Sequence, residues 1–341
     1  VAGSDGWDSL ECQQNARHQG KMDKGKRLYY HHARLTGLQP GTRYDVRCES
    51  DDKSTGELYF VTAPSEDVPL SILFGGDSRS GTETRRAINR MMANMVKEQV
   101  AAGRPAILAV AHGGDYMADG RKLQQWSEWL DDHQLTTGSD GRLLPIIPAR
   151  GNHDIGPLFD EVFAFPPLDG DYYTTDLSPQ VRLTTLNTEI STAGDQQDWL
   201  EQELAENRRK FRWYVAQYHR PAFPAVKSPS NAYSTWVPLF EKYRVDLVCE
   251  ADGHNIKRTS PILNNAIHPD GVVYIGEGGM GVGQRSPKTD RWYLKEVADK
   301  NSEGDHIHLL TFYPDRLDVR VVRLGGETFD NFQIAPRRWD D

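Results

Sequence analysis

The sequence predicts an α/β fold of layered β-sheets with helices outside, preceded by a small all-β segment. Three observations carry this expectation. The first sixty or so residues alternate polar and apolar side chains in the β manner. The proline-bounded polar stretch Ala63-Pro64-Ser65-Glu66-Asp67-Val68-Pro69 then interrupts the chain. Beyond it, apolar runs of strand length interleave with segments of helical spacing. The boundary is placed there, giving segments 1–63 and 64–341.

In the first segment Tyr30–Leu35, Tyr44–Cys48 and Leu58–Thr62 read as strands, separated by the turn Gln39-Pro40-Gly41-Thr42 and a polar loop. His31 and His32 are adjacent, but neighbours on a strand point to opposite faces, so they are not read as a metal pair. After the linker, Leu70–Phe74 is a buried strand, and Glu83–Ala101 is a helix with Ile88, Met91, Met92 and Met95 on its core face. Ala106–Val110 and Pro145–Ala149 are further strands, with a helix over Leu123–Leu130 between them. Later strands are Val181–Leu186, Arg212–Ala216, Val245–Cys249 and Val272–Ile275, with helices over Gln196–Leu204 and Thr235–Tyr243. The run His306–Leu324 alternates again, as a β-meander would. His306 and His308 share a strand face there, but with no carboxylate partner they read as surface residues.

At 341 residues, with 38% hydrophobic and 26% charged side chains, the chain can bury one large core and a small one. Its formal net charge is -9, with acids and bases interspersed, which argues against a nucleic-acid partner. No apolar run approaches the length of a membrane span, so no membrane partner is expected. The chain opens on Val1 without a signal peptide, which reads as a trimmed or processed start. Cys249 lies in an apolar run and reads as a buried thiol; Cys12 and Cys48 are expected to pair, with three free thiols as the alternative.

Polar residues recur immediately after the buried strands. Gly75-Gly76-Asp77 follows the first, Gly113-Gly114-Asp115 the second, Gly151-Asn152-His153-Asp154 the third, and Tyr218-His219 and Asp252-Gly253-His254 later ones. Strand ends of sheet-based enzymes converge on one crevice, and glycines permit the tight turns required. A single Gly-Asp is an ordinary turn; five such sites in register with successive strands form a pattern. Carboxylate, imidazole and one amide are oxygen and nitrogen donors that suit Zn, Fe or Mn, and two such ions sharing a carboxylate can grip both oxygens of a phosphoryl transfer.

The order of these motifs resembles the purple acid phosphatase branch of the calcineurin-like metallophosphoesterases, from about Leu70 to the end. Gly76-Asp77, Gly114-Asp115, Gly151-Asn152-His153-Asp154, Tyr218-His219-Arg220-Pro221 and Ala251-Asp252-Gly253-His254 carry the likeness. Gln197-Asp198-Trp199-Leu200, Pro238-Leu239-Phe240 and Gly276-Glu277-Gly278-Gly279 add to it. The stretch Leu35–Tyr44 resembles a corner of a fibronectin type III domain, of which only part is present. The resemblance implies a four-layer α-β-β-α sandwich and an extracytoplasmic location. It implies two metal ions (Fe, Mn or Zn) and a small phosphorylated substrate. Asp77, Asp115 and His254 would hold the first metal, with Asp115 bridging, and Asn152, His219 and Asp252 would complete the second. The nucleophile would be a metal-bound hydroxide, and His153, oriented by Asp154, would donate to the phosphate or the leaving oxygen.

Two departures stand out. Ala118 occupies the position of the family's chromophoric tyrosine, with Tyr116 out of register, so a colourless protein that need not carry iron is expected. Matching Val245-Asp246-Leu247-Val248 and Arg258-Thr259-Ser260-Pro261-Ile262 without a gap places Asp252 and His254 at the two histidines of the family's last motif. A carboxylate then replaces an imidazole on the second metal and favours harder ions such as Mn or Fe(II). Arg79, where many relatives carry a histidine, is either a phosphate clamp or a salt-bridge partner of a nearby carboxylate. His112 reads as a partner of a ligand, and Lys227 and Tyr233 fall in a loop where selectivity would reside. The resulting expectation is a dinuclear phosphohydrolase acting on monoesters or diesters. The alternatives are a phosphodiesterase or phosphotriesterase with little monoesterase activity, and a degenerate member that binds without turnover.

Overall fold

The computed structural model of the chain describes residues 6–14, 30–164, 171–295 and 303–337. Two six-stranded sheets form its centre. One runs Thr328–Ile334, Leu317–Arg323, His306–Phe312, Leu70–Gly75, Ile107–His112, Ile146–Pro148; the other runs Tyr173–Ser178, Val181–Thr185, Trp213–Tyr218, Leu247–Glu250, Val273–Gly276, Lys257–Arg258. In the first sheet Leu70–Gly75, Ile107–His112 and Ile146–Pro148 are mutually parallel, and the C-terminal meander adds antiparallel strands to the open side. In the second, the four strands from Val181–Thr185 to Val273–Gly276 are parallel, and an antiparallel strand closes each edge.

Strand periodicity sorts the side chains into layers. Ile72, Phe74 and Ala111 of the first sheet meet Leu183, Val215, Leu247 and Ile275 of the second in one buried core. The intervening residues Leu73, Val110 and Leu309 face outward against Ile88, Met92, Met95 and Val96 of the helix Thr82–Ala101. On the far side Tyr214, Ala216 and Val248 pack on Leu200 and Leu204 of the helix Asp195–Asn207 and on Phe240. Both faces of each sheet are therefore covered, which is why Leu70–Gly75 and Trp213–Tyr218 are buried at every position. The result is four layers, α-β-β-α. Each fully buried Leu, Ile or Phe contributes about 1.5–3 kcal/mol.

Several expectations need correction. His306 and His308 are buried, not on the surface, because His306–Phe312 lies between two strands with both sheet faces covered. Cys12 and Cys48 are exposed and unbridged: one leads into the strand Gln13–Gln14 and the other into the separate hairpin Glu49–Ser50/Lys53–Ser54. The Tyr30–Leu35 strand shrinks to His31–His32. The helix expected over Thr235–Tyr243 is two short helices, Ala232–Thr235 and Val237–Lys242.

Among the described residues the N-terminal strands form three separate pairs: Gln13–Gln14 with His31–His32, Arg43–Val46 with Leu58–Val61, and the hairpin just named. The strand Leu58–Val61 docks on the loop that leads into Ile146–Pro148. Tyr59 N donates to Gly141 O at 2.9 Å, and Leu143 N to Tyr59 O at 2.7 Å. The Tyr59 hydroxyl donates to Asp140 at 2.5 Å.

Candidate metal centre

The loops after Leu70–Gly75, Ile107–His112, Ile146–Pro148, Trp213–Tyr218 and Leu247–Glu250 meet at one end of the two sheets. Asp77, Asp115, His219 and Asp252 are all buried and offer one ligand atom each within 4.8 Å of one another. The turns that deliver them are tight. Asp77, Asp115, Asp252 and His254 adopt left-handed backbone, with φ between 58° and 67°. Gly151 and Gly278 are required by close approach. A Cβ at Gly151 would lie 2.3 Å from Asp115 N, and one at Gly278 would lie 1.8 Å from Asp77 Oδ2.

His254 places Nε2 3.2 Å from Asp77 Oδ1, while its Nδ1 lies 3.1 Å from Gly283 O. His219 places Nε2 3.3 Å from Asp115 Oδ1 and 3.6 Å from Asp252 Oδ1, with Nδ1 2.8 Å from Gly113 O. A carbonyl only accepts, so each Nδ1 carries a hydrogen and each Nε2 is turned into the cluster. Asn152 joins through Oδ1, 3.1 Å from His219 Nε2. The six expected ligands thus gather in one place: Asp77, Asp115, His219 and Asp252 together, His254 against Asp77, and Asn152 against His219.

Charge is unbalanced here. Burial would lower the His219 pKa, but Asp115, Asp252 and Asp77 raise it well above the usual imidazole value. Burial would raise the Asp252 pKa, but His219 and Lys227 hold it well below the carboxylate range. Burial, with Asp77 alongside, pushes Asp115 up. Asp77 Oδ1, Asp115 Oδ2 and His254 Nε2 are buried without a hydrogen-bond partner. Buried polar atoms are costly to leave unpaired, and orphaned donor atoms of this kind fit a cation. Oxygen and imidazole donors match Zn, Mn or Fe.

The residues expected to act on substrate fall as follows. His153 is partly exposed, with Nε2 3.9 Å from Asp115 Oδ2, and its backbone N donates to Asp115 Oδ1 at 2.8 Å. Asp154 does not orient the His153 ring, contrary to expectation. Its carboxylate accepts backbone hydrogens from Gly151 (2.8 Å), Asp115 (2.8 Å) and Tyr116 (3.0 Å), and the His153 ring rests with Nδ1 2.8 Å from the carbonyl of Ala118. Burial and the adjacent Asp115 push the Asp154 pKa up to about 8. Arg79 lies with Nε 3.3 Å from Asp115 Oδ2. Among the described residues His112 hydrogen-bonds no ligand side chain: its Nε2 is 3.1 Å from Ser78 Oγ, and its Nδ1 accepts from Gly114 N. The Tyr116 hydroxyl points away, donating to Ala149 O at 3.2 Å.

Three supporting groups were not singled out for these roles by sequence. Lys227 Nζ hydrogen-bonds Asp252 Oδ1. Arg285 donates to the Asp252 carbonyl at 3.2 Å. Lys257 is buried between Glu250 and Glu277. Glu250 accepts from Tyr218 OH and Ala222 N, and Glu277 from Ala225 N, so this ion cluster clips the loop after His219 to the strands that carry Asp252. The sequence signal was a lone lysine two residues before Thr259, flanked by apolar strands.

The calcineurin-like phosphoesterase family model matches residues 72–255, more than half of the chain. The chain belongs to the calcineurin-like phosphoesterase family. Among curated relatives, an uncharacterized protein of Mycobacterium tuberculosis (strain ATCC 25618 / H37Rv) is 30% identical over 275 residues, covering 68% of this chain and 51% of that protein. Purple acid phosphatase 23 of Arabidopsis thaliana is 27% identical over 301 residues, covering 73% of this chain and 62% of the relative. The calcineurin-like chain therefore spans only about half to three fifths of the length of these relatives. Among solved structures, a purple acid phosphatase from yellow lupin (Lupinus luteus) seeds superposes with a TM-score of 0.74 at 17% identity, covering 95% of this chain and 66% of that one. This likeness shows a shared α/β fold.

Proposed function

We propose that the chain hydrolyses phosphate esters at a dinuclear metal centre. The observation that carries the reading is the set of buried atoms without a hydrogen bond, Asp77 Oδ1, Asp115 Oδ2 and His254 Nε2, beside the Asp77–Asp115–His219–Asp252 cluster. Asp77, Asp115 and His254 would hold one ion; Asp115, Asn152, His219 and Asp252 would hold the other. Such ions would supply Lewis acidity toward a phosphoryl oxygen and lower the pKa of an attacking water.

The remaining steps belong to side chains. Ala118 O fixes the proton on His153 Nδ1, so Nε2 is the nitrogen that exchanges a proton, facing the cluster from its mouth. In this reading it donates to the leaving oxygen. Arg79, with Nε against Asp115 and Nη1 donating to Ser80 Oγ at 3.0 Å, would offer Nη2 to a phosphate oxygen. Asp154 keeps the Gly151 and Asp115 turns in register.

The substrate in this reading is a small mono- or diester, and Ala118 supports a colourless protein. Residues 1–63 are read as a partial fibronectin III-like module on the strength of the Arg43–Val46/Leu58–Val61 pair, with 64–341 as the catalytic unit. An extracytoplasmic location rests on the purple acid phosphatase relatives; no helix among the described residues is long and apolar enough to cross a membrane. Metal analysis with parallel rates on aryl phosphate mono-, di- and triesters tests the reading. No stoichiometric metal, and no turnover after Mn, Zn or Fe is restored, would sink it.

A further inference from the structure

The two halves of the site differ in what already satisfies them. At the Asp77–His254 side, Asp77 Oδ1, Asp115 Oδ2 and His254 Nε2 have no hydrogen-bond partner. At the His219–Asp252 side, the facing atoms are engaged. Asn152 Oδ1 lies 3.1 Å from His219 Nε2, and Asp252 Oδ1 takes the ammonium of Lys227 while lying 3.6 Å from that same imidazole nitrogen. The oxygen that would face the second ion is the one that Lys227 holds.

We propose that Lys227 is a tethered cation that competes with the second metal ion for Asp252, so that the two positions fill with unequal affinity. The inference rests on the dinuclear reading above and adds an order of filling to it.

The loop carrying Lys227 is anchored rather than free. Lys227 O accepts from Arg291 at 2.7 Å, Ala225 N donates to Glu277 at 2.9 Å, Lys288 N donates to Ala225 O at 2.9 Å, and Ser230 N returns to Pro221 O at 2.9 Å. Its backbone is thereby set at a fixed distance from Asp252. The side chain is 38% exposed and the carboxylate 5%, so the ammonium can leave into water while Asp252 stays. Three carboxylates, Asp77, Asp115 and Asp252, converge here, and Lys227 is the one lysine found on any of them among the described residues. A divalent ion entering beside His219 must displace it. Arg79 Nε approaches Asp115 Oδ2 at 3.3 Å without forming a hydrogen bond, a looser hold than the hydrogen-bonded ion pair of Lys227 with Asp252.

The test is calorimetric titration of the chelator-stripped full chain with Mn2+, alongside Lys227→Met and Lys227→Arg. The expected wild-type result is one tight and one weaker ion per chain. In Lys227→Met the weaker step should tighten by roughly tenfold, about 1.4 kcal/mol, while the tight step is unchanged. Lys227→Arg, which keeps a tethered charge, should stay near wild type. Two steps in wild type that Lys227→Met leaves unaltered or weakens would overturn the inference while leaving the dinuclear reading intact. A wild type that binds no Mn2+, Zn2+ or Fe2+ would overturn both.

Discussion

His254 Nε2 stands 3.2 Å from Asp77 Oδ1, and neither atom has a hydrogen-bond partner. The hydrogen on His254 Nδ1 is committed to Gly283 O, so the pair presents two acceptor atoms to the same point. Asp77→Asn should therefore remove one metal ion per chain, read by elemental analysis, and lower turnover at least ~100-fold. The metal-free variant should be as stable as the metal-free parent, or about 1 kcal/mol more so, because one of three converging buried carboxylates is made neutral. Equal metal content in parent and variant would contradict the assignment.

Asp154 acts on backbone, so its removal should be felt first in stability. Asp154→Ala leaves three buried N–H groups, those of Gly151, Asp115 and Tyr116, without an acceptor. A loss of about 3 kcal/mol or more in urea unfolding is expected. Metal affinity should fall with it, because the turns carrying Asp115 and Asn152 lose their common clasp.

His153 gives a different signature. His153→Ala should slow esters of alkyl alcohols by roughly 10²-fold or more and 4-nitrophenyl phosphate much less, since only the poor leaving group needs a proton. Rates across a series of leaving groups check this. A uniform loss would assign His153 to phosphate binding alone.

Burial lowers the His306 pKa to about 4 and the His308 pKa well below its usual value. The unfolded chain then binds more protons than the folded one as pH falls below 6.5, so this contribution is complete above that value and is lost as pH falls toward 4. Asp160, raised to about 6 by burial and by Asp171, works in the opposite direction. The difference between two curves isolates the histidine. Urea midpoints of His308→Leu should depend less steeply on pH between about 4 and 6.5 than those of the parent. The buried His308 ring packs on Phe74, with centroids 5.8 Å apart, an apolar contact that leucine keeps in part, so the variant should cost little at neutral pH.

Much of the layered fold was legible because burial on both faces writes itself as uninterrupted apolar runs, as in Leu70–Gly75, and because Ile88, Met92 and Met95 repeat at helical spacing. The strand Tyr173–Ser178 was missed: it is an edge strand of Tyr, Thr, Asp and Ser with the single aliphatic Leu177, and so with little apolar pattern to detect. The helix Leu158–Phe163 is too short to display a period. His306 and His308 misled because polarity suggested solvent, whereas strand order decided burial. In the site, the ligand-type residues stood after strands, all but His219 beside a glycine, and were visible as such. Which atom Asp154 clasps and where Lys227 lands depend on loop paths, which residue types alone do not encode.

Asp77, Asp115, Asp252 and His254 all hold left-handed backbone, a conformation that costs an ordinary L-residue roughly 1–2 kcal/mol. Glycine would relax each turn but would leave nothing to bind a cation, so local comfort and chemistry are opposed at four positions. A ligand that binds only the folded chain adds RT ln(1 + [L]/Kd) to its resistance to heat. Ions bound here would therefore also act as a keystone: how much of the chain survives proteolysis and warm storage would become a function of trace-metal supply, even where no ester is turned over.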